Sequence, residues 1–182
     1  MNSGGTTSRA GILVGIELYA RTESSPLDTL TPFERAVVQG PERLASLVVH
    51  EHAHVQQETL GALRSGDGRS LLERAVFEGI AELLAEELTG AFVAGDATTA
   101  FGMANEAALW VEFRAAMDGT DISRWLYNVG DDPERPGDLG YFVGRRIARA
   151  YLEARGDRDA AIRELLRATD ARAILDASGY AP

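Results

Sequence analysis

The sequence predicts a mainly helical α+β domain with a small N-terminal sheet. Apolar residues recur at three- and four-residue spacing in segment after segment, only one stretch has the composition of a strand, and no internal repeat divides the chain. With 182 residues, 45% of them hydrophobic and 25% charged, the chain has the size and usage of one folded domain over residues 1–182.

Taken in order, Met1 to Ser8 reads as a Gly/Thr/Ser turn leading into Ala10–Ala20, where Ile, Leu, Val and Tyr around Gly15 signal a strand or a tight strand pair. Arg21–Leu30 is a polar loop. Pro32 then opens a short helix capped by Thr31. Gly40-Pro41 ends it and starts the next, from about Pro41 to Leu60, with Leu44, Leu47, Val48, Glu51 and Val55 in helical phase and Gly61 closing it. After the turn at Ser65–Gly68, the series Leu71, Leu72, Ala75, Val76, Ile80, Leu83, Leu84 and Leu88 traces an amphipathic helix that stops near Gly90. Further helices are expected over about Asn105–Met117, Leu139–Ala154 and Asp157–Ala168, with the polar loop Asp131–Gly137 before the second of these.

Composition narrows the chemistry. There is no cysteine, so disulfides, thiolate metal sites and cysteine nucleophiles are excluded, and any metal must be held by histidine and carboxylate. The formal net charge of −10 disfavours a nucleic-acid partner. All basic residues are arginine; without lysine there is neither Schiff-base chemistry nor a Walker-type phosphate site. No segment approaches the roughly 20 apolar residues of a membrane span, and the N-terminus lacks the pattern of a signal peptide. A soluble protein is expected, cytoplasmic, or secreted or periplasmic if the N-terminus is trimmed.

All three histidines fall in His50-Glu51-His52-Ala53-His54, an H-E-x-x-H pattern. On a helix, positions i and i+4 are separated by about 400°, so His50 and His54 project from one face and can chelate one ion. Glu51, beside the first ligand, can take a proton from a water on the metal. Zinc fits such a donor set best, one ion per chain, with a fourth position left for water. His52 points about 200° away from His50 and is expected to be a bystander. A β-strand would put all three imidazoles on one face, but the helical phasing of the flanks rejects it. Two histidines need a third protein ligand, and the next helix carries Glu78-Gly79-Ile80-Ala81-Glu82. Glu78 is assigned as ligand and Glu82 as the carboxylate that hydrogen-bonds a ligating imidazole, the reverse assignment being the alternative. Gly79 is expected to let the histidine helix approach closely.

HExxH followed by a helix with E-x-x-x-E resembles the gluzincin peptidases, thermolysin among them. More narrowly, the chain is similar to an uncharacterised bacterial family of Zn-dependent proteases, through Gly4–Thr6, Gly11–Glu17, HEHAH, EGIAE, Trp125–Asn128 and Asp138–Gly144. The resemblance implies a zincin-like domain and a zinc metallopeptidase acting on a peptide or protein substrate. Zincin domains usually carry a larger sheet, so an N-terminal portion is expected to be missing. Unlike thermolysin, the chain has no histidine beyond position 54, so another residue type must stabilise the oxyanion. Candidates are Tyr127, Tyr141, Tyr180, Arg145 and Arg146; Tyr141 is preferred because it opens a helix directly after the Pro/Gly loop. The strand Gly11–Tyr19 is either a core strand or the edge along which an extended peptide docks. Two rivals have other functions. A catalytically inactive zincin scaffold would be a binding protein, though Glu51 is retained. A ferritin-like di-metal carboxylate bundle needs a second Glu-x-x-His element that this chain cannot supply.

Overall fold

The computed structural model describes residues 4–8, 11–63, 66–129, 132 and 134–182; Ala10, Ser65, Asp131 and Pro133, to which the sequence gives places in the strand, a turn and the polar loop, lie outside them. The first elements are an antiparallel hairpin of β1 (Gly5–Ser8) and β2 (Gly11–Val14), with Gly5 opposite Val14 and Ser8 opposite Gly11. The strand expected to run to Ala20 therefore stops at Val14. Beyond it the Leu18 amide donates to the Gly15 carbonyl at 2.9 Å, and Ile16–Tyr19 forms a 3-10 turn that carries Tyr19 into the interior beneath Gly4. The Gly/Thr/Ser stretch before it is the partner strand, not a turn.

Helix α1 (Pro32–Val37) begins as its sequence demands: the Thr31 hydroxyl accepts from the Glu34 amide while the Glu34 carboxylate accepts from the Thr31 amide. A 3-10 turn at Pro41–Arg43 leads into α2 (Leu44–Thr59), the histidine helix. Ser70 and Glu73 form a second capping box at the start of α3 (Leu71–Thr89), and Gly90 ends that helix in the left-handed conformation that favours glycine. Then follow α4 (Asp96–Ala104), α5 (Glu106–Ala116), α6 (Leu139–Glu153), α7 (Arg158–Leu166) and α8 (Ala171–Ser178), the last two capped by Asp157 and Asp170. None of the described helices is long and apolar enough to cross a membrane.

Helix α3 is the axis of the molecule. It is buried over most of its length and lies between α2 on one side and α6 on the other. A helix whose apolar residues and two glutamates are buried this far needs neighbours on more than one face. The contact with α6 is backbone to backbone: a Cβ on Gly79 would collide with the Gly144 main chain, and one on Gly144 with the Ala75 carbonyl. The expectation that Gly79 admits α2 is therefore corrected; it admits α6, and α2 packs through its side chains instead. Arginine forks close the far end of this contact, Arg145 and Arg149 both reaching Glu86 (2.8 and 2.9 Å), with Arg149 and Arg158 on Glu87.

Two helices, α4 and α8, go beyond the sequence reading. Helix α4 is interrupted by Thr and Gly, residues of weak helical preference, and is held by tertiary contact: Gly102 sits against the Phe142 ring, 2.6 Å from where its Cβ would be. Gly144→Ala should force α3 and α6 apart and lower stability by about 3 kcal/mol. Gly156→Ala, which points into open space, should change it by less than about 0.5 kcal/mol. Urea unfolding of the two variants provides the comparison, and equal midpoints would contradict the close crossing.

Candidate metal centre

Helical phase places His50, Glu51 and His54 on the buried side of α2, facing α3. One turn of α3 contributes Glu78 and Glu82, both buried. Three donor atoms converge where the two helices meet. His50 Nε2 lies 3.0 Å from His54 Nε2, and Glu78 Oε2 lies 3.2 Å from His54 Nε2 and 3.3 Å from His50 Nε2. Among the described residues this is the one group of three that could hold a metal ion. Its dimensions suit zinc: with bonds of about 2.0–2.1 Å, the edge of a tetrahedron is about 3.3 Å. Two imidazoles and one carboxylate are also the donor types that zinc accepts when no thiolate is available.

The surroundings orient these groups. His54 Nδ1 lies 2.9 Å from Gln57 Oε1, and Gln57 is itself fixed by donating from Nε2 to the Phe77 carbonyl at 3.1 Å. A proton on Nδ1, donated to that oxygen, leaves the Nε2 lone pair to face Glu78. The His54 ring stacks on Phe77, centroids 4.3 Å apart. The hydrogen bond expected from Glu82 to a ligating imidazole is not formed: Glu82 Oε1 faces His50 Nδ1 at 3.6 Å, and its carboxylate accepts instead from the amides of Val93 and Ala94 at 3.1 and 2.9 Å. The second oxygen of Glu78 accepts from the Tyr127 hydroxyl at 2.7 Å. Its two oxygens are thus divided, Oε1 to the tyrosine and Oε2 to the imidazoles. His52 is exposed on the opposite side of α2.

Burial opposes the charge on these groups and their neighbours restore it. Burial acts to lower the His54 pKa, but the adjacent Glu78 carboxylate outweighs it and raises it to about 9. Burial likewise acts to raise Glu78, and the two histidines hold it well below the usual carboxylate range. Glu51 is pushed upward, chiefly by burial, against the pull of His50 and His54. Burial also raises Glu82.

Above the triad lies a cavity of about 440 Å³, lined by His50, Glu51, His54, Glu78, Tyr127, Tyr141 and residues 5–7 of β1. Gly5 permits this arrangement: its Cβ would fall 2.8 Å from Glu51 Oε1 and 2.9 Å from Leu47. The wall of the cavity is therefore β1, and the expectation of a strand over Gly11–Tyr19 at the cleft is corrected. Of the five oxyanion candidates, Tyr127 and Tyr141 reach the cavity, the Tyr141 ring lying 6.2 Å from that of His50. The other three are engaged elsewhere: Tyr180 and Arg146 with Glu106 (2.8 and 2.6 Å), Arg145 with Glu86. Sequence reasoning missed Gln57, whose only signal is its spacing of i+3 from His54, and missed the hydrogen bond from Tyr127, which nothing local announces.

A family model described as Predicted Zn-dependent protease (DUF2268) matches residues 29–176, from before α1 to the middle of α8. No curated protein and no solved structure matches the chain. With the metal-free His54 titrating at about 9, zinc uptake below that pH must displace its proton. Affinity should therefore weaken as pH falls from 9, by about tenfold per unit for one displaced proton. Calorimetric titration in buffers of different ionisation enthalpy would count that proton, and pH-independent affinity between 6 and 8 would contradict it.

Proposed function

The chain belongs to the family of predicted Zn-dependent proteases, and we propose that it is a zinc metallopeptidase with one ion per chain, held by His50, His54 and Glu78. The observation that carries this reading is the convergence of those three donors at 3.0–3.3 Å with Glu51 beside them on the same cavity. Zinc bound there supplies a Lewis acid and a water whose pKa is lowered to about 7.

Glu51 accepts the proton of the attacking water and delivers it to the leaving amine. Its upward-shifted pKa suits a group that must both take and return a proton near neutrality. Tyr141 donates a hydrogen bond to the developing oxyanion; burial pushes its pKa well above that of an ordinary tyrosine, so the hydroxyl keeps its proton. Gln57 orients the His54 imidazole, and the Glu82 carboxylate faces that of His50. A peptide extended along the outer edge of β1 would bring a carbonyl over the site. The β1–β2 register and the Gly15 amide to Gly4 carbonyl bond (2.9 Å) turn the Thr7 main chain toward that edge.

Glu51→Gln should retain zinc and lose hydrolysis by about 10²–10⁴-fold, measured on a mixed-peptide substrate alongside metal analysis. A chelator should abolish the wild-type activity. A zinc-loaded wild type that cleaves no peptide would instead make the fold a binding scaffold, and equal zinc binding by His50→Ala would refute the ligand set.

A further inference from the structure

Among the described residues, two that are not glycine have a left-handed backbone, Tyr127 at φ 59° and Asp138 at φ 60°. For a bulky residue such as tyrosine this conformation is rare and must be imposed by its surroundings. The two are imposed on each other. Asp138 Oδ1 accepts from the Tyr127 amide at 2.7 Å and from the Asn128 amide at 3.4 Å, while Asn128 Oδ1 accepts from the Asp138 amide at 2.8 Å. The two segments of this clamp lie close together. The Gly140 amide donates to the Trp125 carbonyl at 2.7 Å, and a Cβ on Gly137 would fall 2.6 Å from Val129. Behind them Trp125 and Leu126 are buried in the core. The clamp therefore stands on rigid ground, and what it projects is the Tyr127 side chain, whose hydroxyl meets Glu78 Oε1.

We propose that Asn128 and Asp138 are positioning residues of the metal centre: they fix Tyr127 so that its hydroxyl occupies one oxygen of Glu78 and directs the other at the two imidazoles. This rests on the reading of His50, His54 and Glu78 as the ligands, and not on peptidase activity. It gives a shared purpose to two segments, Trp125–Asn128 and Asp138–Gly144, that carry no metal-binding residue themselves. Partners that orient a metal ligand typically contribute about 10–100-fold in affinity.

The test is the zinc Kd of the full-length chain, measured by competition with a chromophoric chelator at fixed pH, with folding monitored by circular dichroism. Tyr127→Phe should raise Kd about tenfold. Asp138→Ala should raise it by the same factor, and combining the two should cost no more than either alone, because the aspartate acts through the hydroxyl. Asp138→Asn, which keeps an acceptor oxygen and tolerates the left-handed backbone, should bind zinc as the wild type does. Costs that add in full, or an unchanged Kd in Tyr127→Phe or in Asp138→Ala, would overturn the proposal. Should Asp138→Ala not fold, Asn128→Ala takes its place in the same cycle and is judged by the same criteria. A wild-type chain that takes up no zinc would overturn the ligand assignment and the clamp's role with it, whereas tight wild-type binding with additive variants would overturn the clamp alone.

Discussion

Glu78 is a carboxylate with almost no access to water, and taking such a group out of solvent costs several kcal/mol unless opposite charge or hydrogen bonds replace the lost hydration. In this fold the replacement comes from three directions: His50 and His54 of α2 on one oxygen and Tyr127 on the other. His54 is held from behind by Gln57 and Tyr127 by the Asn128–Asp138 clamp, while Glu82 faces His50 Nδ1 at 3.6 Å. The crossing of α3 with α6 belongs to the same requirement. Because Gly79 and Gly144 bring those main chains into contact, α3 has no freedom to roll, and Glu78 stays aimed at α2. A side chain at either glycine would tilt the helix that carries two of the site's carboxylates.

The histidine helix and its glutamate partners were legible in the sequence because their geometry is local. HEHAH has meaning only at helical pitch, and Leu44, Leu47 and Val48 fix that pitch a turn before it. EGIAE is read in the same way, its two carboxylates one turn apart on one face of α3. The cap at Thr31 also announces itself beside Pro32, whereas the box that Ser70 and Glu73 form is added by the structure. Nothing comparable exists for Tyr127, which reaches Glu78 through a backbone conformation that no single-residue preference favours, from a position 49 residues away. Gln57 was visible as a good helix former, but its bond to the Phe77 carbonyl depends on how α2 and α3 pack.

The misread hairpin has a different cause. Gly4-Gly5-Thr6-Thr7-Ser8 looks like a turn because glycine is unfavourable in strands, yet Gly5 is needed where β1 presses on Glu51 and Leu47. Function and local preference conflict there, and packing decides. Gly79 was misread for a related reason. A glycine in a helix signals close approach, but sequence alone does not say by which neighbour, and the nearest in the chain, α2, was not the one.

A consequence of this architecture is that the groups assigned to chemistry are not equally constrained. His50, His54 and Glu78 are enclosed between α2 and α3, and α6 in turn holds α3 in place. Glu51 meets Gly5 of the two-stranded β1–β2 hairpin, which lies chiefly on α2. Two-stranded sheets have little stability of their own, so the hairpin's position follows from its contact with that helix and with Tyr19. The groups proposed as metal ligands and as proton acceptor thus all sit on the helical part of the fold, and the edge proposed to receive the substrate sits on its most adjustable part. For the proposed hydrolysis that division matters, since the edge proposed to receive the substrate also forms the wall beside Glu51.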